Sequence, residues 1–409
     1  MNREILKDGV RTYGTPLYVF DLDALQAELD RMRGQLRRSA ELCFAMKANP
    51  FLTGYCGAWT DRIEVCSMGE FQICRALGIP AEKLIISGVL KKEEDLQEIL
   101  DVCQEKSIYT AESVRQFAAL AGWSKKHQKM ISVYLRLTSG NQFGMDEKTI
   151  RNILQTRDQY PFLKIQGLHF FSGTGKRKLK ILEKELAYLD EFLEKTQREE
   201  KFCFDDLEYG PGIGVPYFVG EEIETFSDAG LQRMSELIGQ MKWKGRVGLE
   251  LGRAIAARCG SYLTQIRDVK SNGEKHYCIV DGGMHQMNYD GQIRGMYEPY
   301  TQLFSMEGDE DGAVPGGAVG PEKKVWTVCG SLCTANDVLC QKTLERDPAV
   351  GDVLVFERTG AYSVTEGMAL FLSHELPCVV CYSENKGWEP CREMRQSYLW
   401  NMWNKKYFG

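Results

Sequence analysis

The sequence predicts an α/β protein with a (β/α)8 TIM barrel followed by a C-terminal domain of β-strands. Up to about residue 255, short apolar runs alternate with segments of helical spacing, and after it the helical spacing fades. Alternating β and α units are typical of parallel strands joined by helical crossovers. Because 409 residues exceed what one barrel needs, we expect a second domain.

The barrel strands are predicted from eight apolar runs. These runs are Leu42–Met46, Ile63–Cys66, Leu84–Ser87, Ile108–Ala111, Ser132–Leu137, Ile165–Phe171, Leu207–Tyr209 and Val247–Leu251. Helical segments such as Glu93–Cys103 and Lys178–Lys195 separate them, with apolar residues at helical spacing. A doubly wound open sheet shows the same alternation, so the count of eight favours a barrel but leaves that alternative open.

The remaining elements flank the predicted barrel. Tyr13 to Asp21 is predicted to be a turn and a strand, and Asp23 is the expected N-cap of a helix that runs to about Arg38. Later strands are predicted at His276–Val280, Lys324–Cys329, Asp352–Phe356 and Cys378–Tyr382. Met306 to Lys323 is expected to be a mobile loop. The aromatic tail from Tyr398 is expected to dock on the domain or on a second subunit.

Composition argues against several classes of protein. The formal net charge of −6 argues against nucleic-acid binding through phosphate contacts. The sequence contains no apolar run of about 18 residues, so we expect no membrane span. The absence of an apolar N-terminal core argues against a signal peptide, so we expect a cytoplasmic protein. The 14 cysteines are scattered and expected to be reduced. Cys378 and Cys381 point to opposite faces of a predicted strand, so we expect structural thiols there, and we predict no metal site.

Lys47 is the first candidate functional residue. It ends the first predicted barrel strand, and Asn49 and Pro50 then turn the chain. Lysines are uncommon at the end of a buried strand unless they are paired or functional. Desolvation there would lower the pKa of the ammonium and make the amine a better nucleophile. From these residues alone, a surface lysine at a strand edge is the alternative.

Further functional residue types lie at the other strand ends. Glu64 lies in the second strand, Glu250 and Arg253 end the eighth, and glycine-rich turns at 173–175 and 210–214 follow the sixth and seventh. In a barrel these ends meet on the catalytic face. Glycine loops offer backbone N–H groups to an anion, and an arginine can bind the same anion through two N–H groups. A lysine nucleophile, an anion cradle and an acid together are what pyridoxal 5′-phosphate requires.

Each of these signals has a plainer explanation when it is taken alone. The glycines could form tight turns, Glu250 and Arg253 could be a surface ion pair, and His169 could be a core histidine. Cys333, judged from the scatter of cysteines, would be a core thiol. Their combination at the strand ends favours the cofactor site.

Ordered motifs across the chain carry a family resemblance. They are Phe44 to Asn49, Val65 to Glu70, Gly167 to Thr174, Gly210 to Tyr217, Glu250 to Arg253, Val280 to Met284, Gly330 to Cys333 and Gly360 to Tyr362. In this order they resemble the alanine-racemase-fold, pyridoxal-phosphate-dependent decarboxylases, and among these the diaminopimelate decarboxylases. The resemblance extends from about Gly14 to about residue 385.

The resemblance implies a domain organisation and an assembly. Residues 1–25 would form an N-terminal strand that joins the β-domain, residues 26–255 the cofactor-binding barrel, and residues 256–409 a C-terminal β-sandwich or β-barrel domain. Two chains would form a head-to-tail homodimer with composite active sites.

The resemblance also implies roles for individual residues. Lys47 would bind pyridoxal 5′-phosphate covalently, Glu250 would pair with its pyridine nitrogen, and Cys333 of the partner subunit would protonate the substrate carbon. The other cofactor-binding positions would be Glu64, Phe171, Thr174, Gly210, Gly212, Gly214, Gly252, Arg253 and Tyr362. The substrate-binding positions would be Arg253, Arg294, Tyr297, Thr334, Asp337 and Tyr362.

Three departures from the family pattern concern the ring-stacking and substrate positions. Phe171 stands where the family has a histidine stacked on the pyridine ring, and Thr334 stands where diaminopimelate decarboxylases have a glutamate. Their Arg-Pro-x-Leu-Tyr segment is not clearly present, since Arg294, Tyr297 and Tyr300 are out of register. The aromatic Phe171 at the histidine position and the segment Asp281 to His285 look more like the decarboxylases of secondary metabolism, some of which act on an amino acid tethered to an acyl carrier protein.

We therefore predict decarboxylation of an α-amino acid, either meso-diaminopimelate or another. The first alternative is a decarboxylase of an amino acid tethered to an acyl carrier protein. Racemisation on the same cofactor would need two opposed acids, so Cys333 favours decarboxylation over it. An alternative of another class is a catalytically silent partner protein like the antizyme inhibitors, against which the retained Lys47, Glu250 and Cys333 argue.

Overall fold

A computed structural model of the chain describes residues 1–288, 295–307 and 324–403. The chain divides into two compact units. The barrel unit comprises Glu28–Val215 and Glu222–Ile255, and the sheet unit comprises Met1–Ala27, Pro216–Glu221 and Ala256–Gly409. Arg294 and most of the predicted Met306–Lys323 loop lie outside the described residues, as does the end of the aromatic tail.

The N-terminal segment begins with a helix that the sequence analysis did not predict. Its elements are α1 (Arg3–Tyr13), β1 (Leu17–Asp21) and α2 (Leu22–Leu36). Asp21 accepts the hydrogen bond from Ala24 N at 2.9 Å in the first turn of α2. The predicted cap residue, Asp23, instead accepts a hydrogen bond from Glu384 N at 2.8 Å. The capping residue of α2 therefore lies two residues earlier than predicted.

Eight strands close the barrel in chain order. They are β2 (Glu41–Ala45), β3 (Arg62–Val65), β4 (Leu84–Ile86), β5 (Ile108–Ala111), β6 (Ile131–Leu137), β7 (Leu163–Phe171), β8 (Asp206–Gly210) and β9 (Arg246–Leu251). Strand β9 pairs with β2 in parallel, with Leu251 opposite Phe44. This closure confirms the predicted barrel and excludes the open sheet, and all eight predicted runs fall on these strands.

Helices follow or flank the barrel strands. They are α3 (Thr53–Trp59), α4 (Met68–Ala76), α5 (Glu93–Cys103), α6 (Val114–His127), α7 (Glu147–Gln155), α8 (Leu179–Glu199), α9 (Asp228–Gln240) and α10 (Arg253–Ala256). In α8 the apolar residues at helical spacing, among them Leu182, Leu186 and Leu189, are buried. A one-sided apolar stripe of this kind is what places a helix against the barrel.

The sheet unit is built on a mixed sheet with nine strands in the described part of the chain. After β1, its elements are β10 (Gly260–Asn272), β11 (Lys275–Val280), β12 (Thr301–Phe304), β13 (Val325–Cys329), β14 (Val338–Thr343), β15 (Val353–Glu357), β16 (Cys378–Ser383), β17 (Gly387–Arg392) and helix α11 (Tyr398–Asn401). The strand order is β14-β13-β11-β10-β1-β16-β17, and β15 pairs with both β10 and β12.

Strand β1 joins the centre of this sheet. It pairs antiparallel with β10 and parallel with β16. Leu6 and Val10 of α1 pack with Leu17, Val19 and Val380 in the apolar core of the unit. The N-terminal strand therefore contributes to the C-terminal sheet.

The sequence analysis missed β10 although it is the longest strand of the sheet unit. Its first half is largely buried, but its second half, from Asp268 to Asn272, is mostly exposed and polar. A strand of this kind leaves no apolar run, so neither a continuous apolar signal nor a clean alternation marks it.

A short excursion, Pro216–Glu221, takes the chain out of the barrel unit and into the sheet unit. Val219 N donates a hydrogen bond to Glu298 O at 2.8 Å, and the rings of Phe218 and Tyr297 stack with centroids 4.9 Å apart. The predicted barrel boundaries, 26–255, did not include this excursion.

Candidate active site

Lys47 stands at the carboxyl end of the first barrel strand. After β2 the backbone forms a 3-10 turn over Met46–Ala48. The fully buried Asn49 accepts a hydrogen bond from Phe51 N at 3.1 Å and so starts a second turn. The Asn-Pro step predicted to turn the chain thus ends β2 and leaves Lys47 on the turn that follows it.

Two buried carboxylates hold the amine of Lys47. Its Nζ donates to Glu64 Oε2 at 2.6 Å and to Glu250 Oε1 at 3.2 Å. They converge because β3 and β9 are the two neighbours of β2 in the barrel. Three predicted site residues that lie far apart in the chain therefore meet at one point.

The charges of this cluster determine its protonation. Burial alone would lower the pKa of Lys47, but the Glu250 and Glu64 carboxylates raise it well above its ordinary value. Our expectation of a lowered pKa was wrong, since two buried carboxylates outweigh desolvation. Burial would raise the pKa of Glu250, but the Lys47 ammonium and a hydrogen bond from His169 lower it well below its ordinary value. Glu250 therefore stays ionised at neutral pH.

The sequence analysis did not assign two residues of this cluster. His169 is 1% exposed, and its Nε2 lies 3.0 Å from Glu250 Oε2. Cys66 donates through Sγ to Glu64 Oε1 at 3.0 Å and lies 3.8 Å from Lys47 Nζ. The sequence did offer one signal, because side chains two residues apart on a strand point to the same face. His169 lies two residues before Phe171, and Cys66 lies two residues after Glu64.

The two glycine-rich turns pack against each other. Lys176 N donates to Gly212 O at 2.9 Å, and Gly214 N donates to Lys176 O at 2.9 Å. Gly212 has a φ of +60°, and a Cβ there would lie 1.9 Å from Gly173 O. Only glycine fits such a position. The turns after β7 and β8 therefore form one layer of backbone.

The predicted anion-binding residues of the barrel unit lie on consecutive strand ends. These are Thr174 after β7, Gly210, Gly212 and Gly214 at the end of β8, and Gly252 and Arg253 after β9. Arg253 is 7% exposed, and its Nε lies 3.4 Å from Thr174 Oγ1. The predicted stacking residue, Phe171, packs on Gly210, where a Cβ would lie 2.6 Å from the ring. Their contacts with a phosphate or a pyridine ring stay a prediction.

A second charged cluster lies at the carboxyl ends of β4, β5 and β6. Arg136 Nη1 and Glu112 Oε1 are 3.1 Å apart, and both side chains are buried. Lys91 Nζ donates to Gly88 O at 2.8 Å and to Gln116 Oε1 at 3.0 Å, and burial lowers the pKa of Lys91 to about 8. Lys91 and Arg136 thus add two cations to the carboxyl ends of the barrel strands, and Arg136 is paired with a carboxylate there as Lys47 is.

Cys333 belongs to the sheet unit, in the segment between β13 and β14, and it is exposed. The buried carboxylate of Asp337 organises this segment. It accepts hydrogen bonds from Leu332 N at 2.9 Å and from Met284 N at 2.8 Å. Asp337 thus ties the residue before Cys333 to the Asp-Gly-Gly-Met turn. A contact of Asp337 or of its neighbour Thr334 with substrate stays a prediction.

The other predicted residues of the sheet unit are Tyr362 and Tyr297. Tyr362 has a φ of +66°, a left-handed conformation that is uncommon for a non-glycine residue. Its carbonyl accepts hydrogen bonds from Thr365 N at 2.8 Å and Glu366 N at 2.9 Å. Tyr297 is 52% exposed beyond its stacking on Phe218. Among the residues that the structure describes, no group of three His, Cys, Asp or Glu side chains could hold a metal ion.

The residues around Lys47 have the chemistry to hold pyridoxal 5′-phosphate. The amine suits the aldehyde, an ionised carboxylate suits a protonated pyridine nitrogen, and glycine turns with an arginine suit a phosphate. The barrel unit supplies all of these groups. Lys47 is the amine, Glu250 is the carboxylate, and Gly212 and Arg253 belong to the turns that suit a phosphate.

Comparisons with known proteins show which family the chain belongs to. The family described as "Pyridoxal-dependent decarboxylase, C-terminal sheet domain" matches residues 17–360. The L-glutamyl-[BtrI acyl-carrier protein] decarboxylase of Niallia circulans is 25% identical over 395 residues, which cover 90% of this chain and 88% of that protein. The diaminopimelate decarboxylase of Aquifex aeolicus is 26% identical over 379 residues, which cover 87% and 84% of the two chains.

A solved structure shows the same fold. The diaminopimelate decarboxylase of Methanocaldococcus jannaschii, in complex with L-lysine, superposes with a TM-score of 0.81 at 20% identity. The match covers 98% of this chain and 95% of that one. The chain belongs to the pyridoxal-dependent decarboxylase family. It is a pyridoxal-phosphate-dependent enzyme that decarboxylates an amino acid, which sets aside the alternative of a catalytically silent partner protein.

No helix in the described ranges is long and apolar enough to cross a membrane. A cytoplasmic location stays a prediction.

Proposed function

We propose that this enzyme removes the α-carboxylate of an amino acid at Lys47, with Glu250 and Cys333 as its other principal groups. The observation that carries the proposal is the position of the Lys47 amine, 2.6 Å from Glu64 and 3.2 Å from Glu250, at the carboxyl end of the barrel. When bound, pyridoxal 5′-phosphate supplies the electron sink that stabilises the carbanion left by carbon dioxide.

The chain's own residues control the protons of this reaction. Lys47 must lose a proton before its amine becomes a nucleophile, and Glu64 Oε2, which is closer to the amine than Glu250 Oε1, is a natural acceptor. Glu250 stays ionised and is the candidate to keep a ring nitrogen protonated. His169 fixes the second oxygen of Glu250 at 3.0 Å and so orients that carboxylate. Cys333, an exposed thiol, is the candidate donor of the proton to the substrate carbon.

For the substrate, we propose a free α-amino acid, meso-diaminopimelate or another, as the first candidate. The second candidate is an amino acid tethered to an acyl carrier protein. Two observations support the second: Thr334, beside Cys333, offers no carboxylate to bind a distal ammonium group, and the similar Niallia circulans enzyme is named for a glutamyl-carrier substrate. A tethered amino acid needs recognition of the carrier in place of that carboxylate.

The test is a screen for carbon dioxide release. Purified holoenzyme receives meso-diaminopimelate, lysine, ornithine, arginine or glutamate, and in parallel glutamate loaded on an acyl carrier protein. Turnover of a free amino acid supports the first candidate, and turnover of the loaded carrier alone supports the second. Racemised product without carbon dioxide from any of these would contradict decarboxylation. The Lys47→Ala variant serves as the inactive control.

We also propose that two chains form a homodimer in which Lys47 of one chain works with Cys333 of the other. Mixing Lys47→Ala protein with Cys333→Ala protein tests this arrangement. After subunit exchange, half of the dimers are mixed, and one of their two sites regains both residues, so about a quarter of the wild-type activity should return. No recovery, with exchange verified by native mass spectrometry, would show that each site uses residues of one chain.

A further inference from the structure

Two cysteines of neighbouring strands meet at the end of the sheet. We propose that Cys381 of β16 and Cys391 of β17 form an oxidative modification site, at which a hydroperoxide converts the two thiols into a disulfide. The two Sγ atoms lie 3.4 Å apart and share a hydrogen bond. The Cys-x-x-Cys motif of the sequence consists of Cys378 and Cys381 and so differs from this pair. Cys378 packs in the apolar core of the sheet unit.

An irregularity in strand pairing brings the two thiols together. In the β16–β17 ladder, Val379 is opposite Arg392, but the next residue, Val380, is opposite Pro390. Cys391 is therefore the extra residue of a β-bulge. A bulge turns a side chain away from its regular alternating direction. Here it directs Cys391 towards Cys381, whose regular partner in the ladder is Glu389.

The two thiols differ in access and in acidity. Cys391 is exposed, whereas Cys381 is fully buried. The hydrogen bond between them lowers the pKa of Cys391, and the same hydrogen bond, followed by burial, raises the pKa of Cys381. A thiolate is the form of cysteine that an oxidant attacks. Cys391 is thus the first residue to react, and Cys381 is the resolving thiol.

The chemistry needs one equivalent of hydroperoxide. The Cys391 thiolate attacks one peroxide oxygen, the O–O bond breaks, and Cys391 becomes a sulfenic acid as the first water or alcohol leaves. Cys381 then attacks the Cys391 sulfur, the S–S bond forms, and the sulfenic oxygen leaves as water. The two thiols lose two electrons and two protons in total, and the peroxide is reduced.

A disulfide at this position would restrain the strand at the end of the sheet. Strand β17 is the last strand in the sheet order and pairs with β16. The chain after it returns to the segment before β16, where Arg395 and Leu376 exchange backbone hydrogen bonds and Ser397 Oγ donates to His374 O at 2.5 Å. A covalent link between β16 and β17 would therefore slow the opening of β17 and of the segment that follows it.

The experiment uses the full-length holoenzyme and hydrogen peroxide. After treatment, blocking of free thiols and digestion without reductant, we expect one peptide pair joined through Cys381 and Cys391, lighter than the two thiol peptides by two hydrogen atoms. Dithiothreitol should separate the pair. Amide hydrogen exchange of β17 should slow after oxidation and recover after reduction.

Single variants control the assignment. Cys391→Ser should abolish the linked peptide, and Cys381→Ser should leave Cys391 as a sulfenic acid that dimedone captures. Cys203→Ser is the matched control, because that exposed thiol contacts the Phe204 carbonyl at 3.6 Å and not a thiol. The Cys203→Ser variant should form the same Cys381–Cys391 linked peptide as the wild type. A disulfide between Cys378 and Cys381, or oxidation of Cys391 in the wild type without a link, would overturn the proposal.

Discussion

The two regions that supply the proposed catalytic groups are built in opposite ways. Around Lys47, charged side chains are packed into the barrel, and buried Glu64 and Glu250 surround one amine. Around Cys333, the thiol is exposed, and one buried carboxylate, Asp337, holds the backbone that carries it. The first region holds its reactive group through side-chain charge, and the second holds its reactive group through main-chain position.

This difference has a physical consequence. The protonation of Lys47 is set by its neighbours, so removing one charge changes the pKa of every member of the cluster. The position of Cys333 depends on hydrogen bonds to Asp337, so a change there alters geometry and leaves the Lys47 cluster unchanged. Variants in the two regions should therefore affect different measurements.

The largest effect is expected from Lys47→Ala. The variant loses the amine that attacks the cofactor aldehyde, so we expect turnover to fall by more than about 10⁴-fold. The absorbance of covalently bound cofactor should disappear as well. Lys83→Met is the control, because Lys83 binds the carbonyls of Gly57 and Thr60 at 2.6 and 2.8 Å. A Lys47→Ala protein that still absorbs and turns over would refute the assignment.

A smaller effect is expected from Cys333→Ala. Loss of a positioned general acid reduces turnover by about 10²- to 10⁴-fold. Because Cys333 belongs to the second region, the absorbance of bound cofactor should match that of the wild type. Cys329→Ala, at the end of β13, is a nearby thiol control. Loss of the cofactor absorbance in Cys333→Ala would mean that Cys333 also affects cofactor binding at Lys47.

The Asp337→Asn variant tests how the Cys333 segment is held. The carboxylate accepts from two backbone N–H groups, and an amide has one oxygen to offer them. We expect the free energy of unfolding to fall by about 2 kcal/mol, and kcat to fall by roughly tenfold through misplacement of Cys333. Cofactor affinity, measured by titration, should stay unchanged. A variant with wild-type kcat would show that Asp337 does not position the thiol.

The smallest effect on turnover is expected from Glu208→Gln, inside the barrel. Glu208 is 2% exposed, and burial, followed by the nearby Glu250 carboxylate, raises its pKa from 4.5 to about 8. Between these values the folded state keeps a proton that the unfolded state releases. The stability of the wild type relative to Glu208→Gln should therefore decrease as pH rises from about 5 to about 8, by on the order of a few kcal/mol.

Urea unfolding across this pH range measures the Glu208 effect. Exposed Glu94→Gln is the control, and its unfolding curve should follow that of the wild type at each pH. If Glu208→Gln follows the wild type as well, Glu208 is already ionised in the folded protein. Its carboxylate would then add to the charge around Lys47.

The strands and the first catalytic candidates could be predicted because they leave local signals. A buried parallel strand is a continuous apolar run, and all eight runs were present, so the barrel and the place of Lys47 followed. The family motifs then indicated the cofactor. The long strand β10 and helix α1 were missed, because half of β10 is polar and only four of the eleven residues of α1 are buried.

The sequence by itself determined the barrel, the cofactor class and the position of Lys47. The tertiary structure decided the sign of the Lys47 pKa shift, the contact of His169 with Glu250 and the meeting of Cys381 with Cys391. The physical reason is that a strand's own pattern is local, whereas a pKa or a thiol contact depends on which distant residues the folded chain brings within a few ångströms.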